Sequence, residues 1–383
     1  MIEFLSPISK ETLAHIVALP DGVLGKTIKT HGKQGGLPDL KNVKTALLAV
    51  RENRNDPKAR PLQFENLRKA LYSLYPGNWT TPIADLGTIE RGETVQDTYF
   101  AVKTVVAALL QKKITPIILG GGQDLVYAQY RAYDALARTV NIVNVDARFD
   151  LGDAERPTTN TSYIGKLIVE KPYKLFNYSV LGYQSYLNPP NEIVLMDKLY
   201  FDAFRLGEIV ADITKVEPIT RAADMVVMDA GAIKNGQMGN GGGNSPNGFN
   251  SREICAIARY AGISNRVSSF GLYEVKDNGE AQTMLLAQAI WYFVEGLNFR
   301  VKDDDFKNEN LFTTYKVPVE GTVLIFKKSN KTGRWWVALP FVKNVNTKLK
   351  RHTLLPCTHD DYLSACNQEI PERWYKARQK NEI

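Results

Sequence analysis

The chain has 383 residues, of which 44% are hydrophobic and 23% charged, with three cysteines and a formal net charge of +7. That composition suits a large globular core and excludes a disulfide-stapled mini-domain or a disordered chain. No run approaches the roughly eighteen apolar residues of a membrane span, and the start "MIEFLSPISKETL" has neither a basic leader nor a long apolar segment, so a cytoplasmic protein without a membrane span is expected.

In chain order, "KTALLAVREN" reads as a strand running into polar loop. "PLQFENLRKALYSLY" follows with Leu62, Phe64, Leu67, Leu71 and Leu74 at helical spacing. From residue 80 the rhythm is regular. "TPIADLG" is a strand, "TVQDTYFAVKTVVAALLQKK" a helix with lysines at its end, and "TPIILGGG" a buried strand opening into glycines. "QDLVYAQYRAYDALA" is a helix and "NIVNVDARFD" the next strand. "YSVLGYQ", "ADMVVMDAG" and "RVSSFGLYEV" read as further strands, and "SREICAIARYAG" and "EAQTMLLAQAIWYFVEG" as helices, the first with Asn250 and Glu253 as a capping pair. Alternating strands and helices predict a three-layer α/β/α sandwich around a mostly parallel sheet.

The character changes after residue 301, which divides the chain into an α/β domain (1–301) and a C-terminal extension (302–383). "DDDFKNEN" is a polar linker, "TVLIFKKSNKTGRWWVALPF" a β-hairpin, and "EIPERWYKARQK" a terminal helix. Residues 302–383 hold 15 Lys and Arg against 10 Asp and Glu, so +5 of the net charge sits there. Solvated lysines, including the "KLKRH" run, account for this, and nucleic acid is not expected as a partner. Trp335, Trp336 and Phe341 are expected to pack on their own domain rather than form a partner patch.

In an open parallel sheet, functional groups gather at the carboxyl ends of the strands. Three polar clusters stand there: "GGGQD" (120–124), "DARFD" (146–150) and "MDAGAI" (228–233). Asp146, Arg148 and Asp150 stand two apart, which puts them on one side of an extended chain. Asp124 is expected to serve the glycine turn or its helix start. The glycine-rich stretch 235–253 lacks the lysine and hydroxyl of a phosphate-binding loop and reads as a loop at the pocket mouth.

These ordered motifs resemble the ureohydrolases: arginase, agmatinase and, most closely, formimidoylglutamase. The resemblance covers roughly residues 40–300. It implies an arginase-like fold, and sites for two manganese ions bridged by a hydroxide that attacks a guanidinium or formimino carbon. The family's Gly-Gly-Gly-His, Asp-Ala-His-x-Asp and Asp-x-Asp motifs here read Gly120-Gly121-Gly122-Gln123, Asp146-Ala147-Arg148-Phe149-Asp150 and Asp229-Ala230-Gly231. Transferred by position, one metal would keep Gln123, Asp146, Asp150 and Asp229. The second would have Arg148 and Gly231 as its private ligands, and neither offers a side-chain lone pair. Glu274, in "GLYEV", occupies the slot of the family's substrate-contacting glutamate, or pairs with a nearby base such as Arg148. The four histidines, His15, His31, His352 and His359, lie outside every motif.

Two metal sites become at most one. The expected cofactor is none or a single divalent cation (Mn, Mg or Ca), and Arg148 is expected to bridge the carboxylates in place of the missing charge. Three acids and one arginine still leave an excess negative charge, so a protonated acid, a further base or a lone cation must balance it. The leading expectation is a catalytically inactive scaffold or interaction protein, with a protein partner or self-association. The alternatives are a one-metal C–N hydrolase on linear amidines, and a small-molecule carboxylate binder that uses Arg148 in the old pocket.

Overall fold

The apolar runs of the sequence become strands buried on both faces. The computed structural model describes residues 2–32, 35–56, 62–79, 81–136, 138–234, 246–275, 279–319, 321–340 and 354–382. Among them, nine strands form the main sheet: β1 (Lys29–Thr30), β2 (Thr45–Val50), β3 (Ile83–Ile89), β4 (Thr115–Leu119), β5 (Val140–Val145), β6 (Leu175–Tyr183), β7 (Asp202–Arg205), β8 (Met225–Asp229) and β9 (Ser269–Tyr273). Their spatial order is β1-β3-β2-β4-β9-β8-β5-β6-β7, and every pairing is parallel. The expected α/β/α sandwich is therefore present. The four-residue edge strand β7 escapes a periodicity reading because it is too short to show one.

Side chains of period two feed two cores, one on each face. In β2, Leu47 and Ala49 join one cluster while Ala46, Leu48 and Val50 join the other. Helices Glu65–Tyr72, Ser251–Ile263 and Glu280–Asn298 cover the first face; Val95–Gln111 and Leu125–Arg131 cover the second. Helix starts are set locally. Thr94 with Asp97, and Asn250 with Glu253, form reciprocal capping boxes. Helices 251–263 and 280–298 cross at Gly262 and Gly296, where an added Cβ on Gly262 would meet the Phe293 carbonyl oxygen at 2.2 Å.

The C-terminal region is larger than the expected hairpin and helix. β10 (Phe312–Val319), β11 (Thr322–Ser329), β12 (Trp335–Ala338) and β13 (Leu354–Cys357) form a second, antiparallel sheet in that order. The hairpin is β11–β12. The two outer strands carry Pro318 and Pro356, which edges tolerate and which weaken a sequence signal. Helices His359–Cys366 and Glu372–Glu382 complete the region, whose own core includes Phe326, Trp335, Val337 and Trp374. Trp335 and Trp336 are buried, as expected of packing residues. Phe341, the KLKRH run and the stretch 235–245 lie outside the described residues.

Candidate functional site

The three polar clusters converge at the carboxyl ends of β4, β5, β8 and β9, which are neighbours in the sheet. β4 leads into Gly120 and Gly121, whose lack of a side chain lets the chain pass close to its surroundings. A Cβ would sit 2.1 Å from the Tyr273 ring at Gly120 and 2.1 Å from the Glu52 carbonyl oxygen at Gly121. The turn is held by Gly122 N–H donating to Glu52 O (2.9 Å) and Glu274 N–H to Gly121 O (2.7 Å).

That turn delivers Gln123 into the crevice. Its Nε2 donates to Asp146 Oδ2 at 2.7 Å and to Asn144 Oδ1 at 3.1 Å. Asn144 Nδ2 donates to Asp146 Oδ2 at 3.2 Å and to the Tyr178 hydroxyl at 3.0 Å. The Arg148 backbone N–H donates to Asp146 Oδ1 at 2.8 Å. Both Asp146 oxygens thus accept from neutral donors. Asp150 lies beside Asp146, fully buried, with φ of +53° and with its Oδ2 lacking a hydrogen-bond partner.

Electrostatics follow from this enclosure. Burial pushes the Asp146 carboxyl above the ordinary carboxylate range, against the donors around it. Asp150 is pushed up much further, by burial first, then by the charge of Asp146 and its hydrogen bond, then by Asp229. Asp150 therefore holds its proton more tightly than a free carboxyl, which is one of the expected ways to relieve excess negative charge. The same acids and burial push the Tyr163 and Tyr178 phenols up. Asp229, half-buried at the end of β8, accepts from Gly231 N–H at 2.7 Å.

Arg148 is not where the two-residue spacing put it. β5 ends at Val145, the chain turns, and Asp146 and Asp150 point inward while Arg148 is exposed. Its Nη1 donates to the Leu187 carbonyl at 2.7 Å. The expected guanidinium bridge between carboxylates is absent among the described residues. Extended geometry fails here because the chain bends over residues 146–148, directly after the strand ends. Nor does Arg148 pair with Glu274. That side chain accepts from Gln123 N–H (3.1 Å) and Asn160 Nδ2 (3.0 Å) at the rim. Asp124 stands at the start of helix Leu125–Arg131, as one of its two expected places, but without a side-chain cap bond. Its Oδ2 accepts from Asn55 Nδ2 at 3.0 Å and from the Tyr99 hydroxyl, and burial pushes its carboxyl up to about 6.

Sequence reasoning missed Asn144, Asn160, Tyr163 and Tyr178. Asn144 carried a signal, an amide inside the apolar run "NIVNV". The two phenols lie in segments that read as ordinary structure. Among the described residues, no three His, Cys, Asp or Glu side chains are grouped so as to hold a metal ion.

Comparison with known proteins adds three findings. The arginase family profile matches residues 56–294. A formimidoylglutamase of Hahella chejuensis is 32% identical over 169 residues, which are 42% of this chain and 51% of that protein. The chain thus spans about half the length of that curated relative, and less of a second, from Corynebacterium efficiens. Among solved structures, a Bacillus subtilis formimidoylglutamase aligns with a TM-score of 0.60 at 17% identity, covering 68% of this chain and 88% of that one. A Trypanosoma cruzi formiminoglutamase with Mn2+ aligns with 0.60 at 14% identity, covering 68% and 95%. At those identities the structures speak to the fold. No helix among the described residues is long and apolar enough to cross a membrane.

Proposed function

The chain belongs to the arginase family, and from that premise we propose that it keeps the family's fold without its two-metal hydrolysis and serves as a scaffold or interaction protein. The observation that carries this reading is the outward Arg148 guanidinium on the Leu187 carbonyl, taken with Gly231. Two ligand positions of the second metal then offer no lone pair. The donor set does not fit a binuclear centre, and a hydroxide activated between two ions has no support here. We take residues 1–301 as the family unit and 302–383 as a second unit available to a partner or a second copy. The separate apolar core drawn from Val317 onward supports that division.

The test is metal content and turnover of the purified chain. We expect less than one manganese per chain, and no urea, ammonia or formamide from guanidino and formimino substrates. Two manganese ions per chain, or turnover that Asp229→Ala abolishes, would overturn the reading.

A second reading rests on the buried Asp150 Oδ2, which lacks a hydrogen-bond partner. Asp146, Asp150 and Asp229 are not grouped as a metal site as they stand, so a single divalent cation would have to draw them and the Gln123 amide oxygen together to satisfy that oxygen. Such an ion could polarise a carbon–nitrogen substrate at the crevice. One equivalent of Mn2+ or Mg2+ bound in calorimetry, with a raised melting temperature, would favour this reading over the first.

A further inference from the structure

At the opposite end of the main sheet, the amino ends of β5, β6 and β7 face the C-terminal sheet and the helix Glu372–Glu382 across a cavity of about 340 Å³. Six cationic side chains line it: Arg138, Arg221 and Arg266 from the main unit, and Arg334, Arg373 and Lys380 from the C-terminal region. The carboxylates are shared. Asp224 pairs with both Arg138 (3.1 Å) and Arg266 (2.7 Å), and Glu217 with both Arg221 (2.9 Å) and Arg334 (3.1 Å). Arg334 also reaches Asp303 at 3.3 Å. Asp202 is buried and its carboxyl feels the charges of Lys380 and Arg373, but it accepts from Asn177 and Ser179; Lys380 donates to Asn177 Oδ1 and has two further ammonium protons. Asp304, also in the lining, is exposed.

Cationic donors are left over. Arg221 is 8% exposed, stacks on Trp336 at 4.3 Å and donates through Nη2 to the Trp335 and Cys357 carbonyls, yet its buried Nη1 has no partner. Arg373 donates through Nη1 to Pro356 O, and its buried Nε has none. A buried guanidinium N–H without an acceptor is costly, and structures rarely keep one unless something else fills the place. The walls also carry a flat apolar side. Phe306 and Trp336 meet edge to face at 5.3 Å, and Phe176 lies under Lys380.

We propose that this cavity is a binding site for a small organic anion, a carboxylate or phosphate carried on a compact planar or apolar body. The anionic group accepts from Arg221 Nη1, Arg373 Nε and the Lys380 ammonium, and the body lies along Phe306 and Trp336. Burial lowers the Arg221 guanidinium below its usual range and takes Lys380 down to about 8, the direction an incoming anion reverses. The donors come from both units, so occupancy ties the C-terminal region to the sheet. The site lies about 16 Å along β5 from Asp146, at roughly 3.3 Å per residue, and is independent of the crevice chemistry.

Calorimetry and thermal melts of the full chain with adenosine 5′-monophosphate, phthalate and inorganic phosphate test it. We expect one equivalent of at least one organic anion to bind and raise the melting temperature, and inorganic phosphate to bind more weakly. Binding by adenosine monophosphate alone assigns the group as phosphate; binding by phthalate alone assigns it as carboxylate. Arg373→Gln and Lys380→Met should each weaken binding about ten- to hundredfold, with the fold checked by circular dichroism. Three results would overturn the proposal: no binding by either organic anion, inorganic phosphate binding as tightly as they do, or undiminished binding by both folded variants.

Discussion

The two ends of the main sheet are charged in opposite senses. At the carboxyl ends, Asp146 and Asp150 are buried and touch no cationic side chain among the described residues, and burial pushes both carboxyls up, Asp150 the further. At the amino ends, Arg221, which is buried, and the half-buried Arg138, Arg266 and Arg334 share three carboxylates, Asp224, Glu217 and Asp303. The sheet's direction explains the asymmetry. Crossover helices begin near the carboxyl ends and finish near the amino ends, so positive helix termini favour acids at one pole and negative termini favour cations at the other. One pole sets raised carboxyls against amide donors, the other interleaves its charges as ion pairs.

That contrast can be broken by substitution. The largest effect is expected at the cationic pole. Arg221→Ala removes the Glu217 pair, the Trp336 stack and two carbonyl contacts at once. Urea unfolding should show a loss of about 3 kcal/mol, and protease should cut the C-terminal region faster. A loss near zero would mean the two units are not held there.

Next is Glu52, behind the glycine turn. Burial raises its carboxyl, but Arg54 (Nη2 to Oε2, 2.5 Å) and Thr98 (2.8 Å) outweigh burial and leave it lowered. A lowered carboxyl adds stability above its unfolded value of 4.5 and loses it as pH falls through the lower folded value. Glu52→Gln should therefore cost about 1–2 kcal/mol at neutral pH, with the gap closing below about pH 4. A gap that does not change with pH would remove the charge from the explanation.

Asp150→Asn takes one acid from the crowded pole without changing its shape. Melts in chelator at about pH 8 should show a gain of about 1 kcal/mol. A loss instead would show that the ionised carboxyl has stabilising partners of its own; the single-cation reading is separated by adding Mn2+, which it expects to raise the melting temperature of the native chain and not of the variant. The smallest effect belongs to Arg148. Because it is exposed, Arg148→Ala should change stability by no more than about 0.5 kcal/mol. A cost several times larger would restore the guanidinium as a counter-charge to the buried acids.

The fold between residues 80 and 300 was legible because buried parallel strands read as unbroken apolar runs, and capping residues such as Asn250 and Glu253 mark the helices between them. The crevice was half legible. Gln123, Asp146 and Asp229 stand at strand ends, where chain order alone assigns them. Asn144 left a trace as a polar residue inside β5. The partners Asn160, Tyr163 and Tyr178 left none, because nothing local distinguishes a phenol that meets an acid from one that packs in the core. In the C-terminal region, the prolines of β10 and β13 hid two strands that pairing alone makes.

The amino acids themselves determined which chemistry is possible in the crevice. Arginine at 148 and glycine at 231 supply no lone pair from their side chains whatever the fold does with them. Tertiary structure alone decided where that arginine points, which acid is pushed up furthest, and that six cations from distant segments line one cavity. Direction, desolvation and the meeting of remote side chains are properties of packing, and spacing along the chain does not encode them.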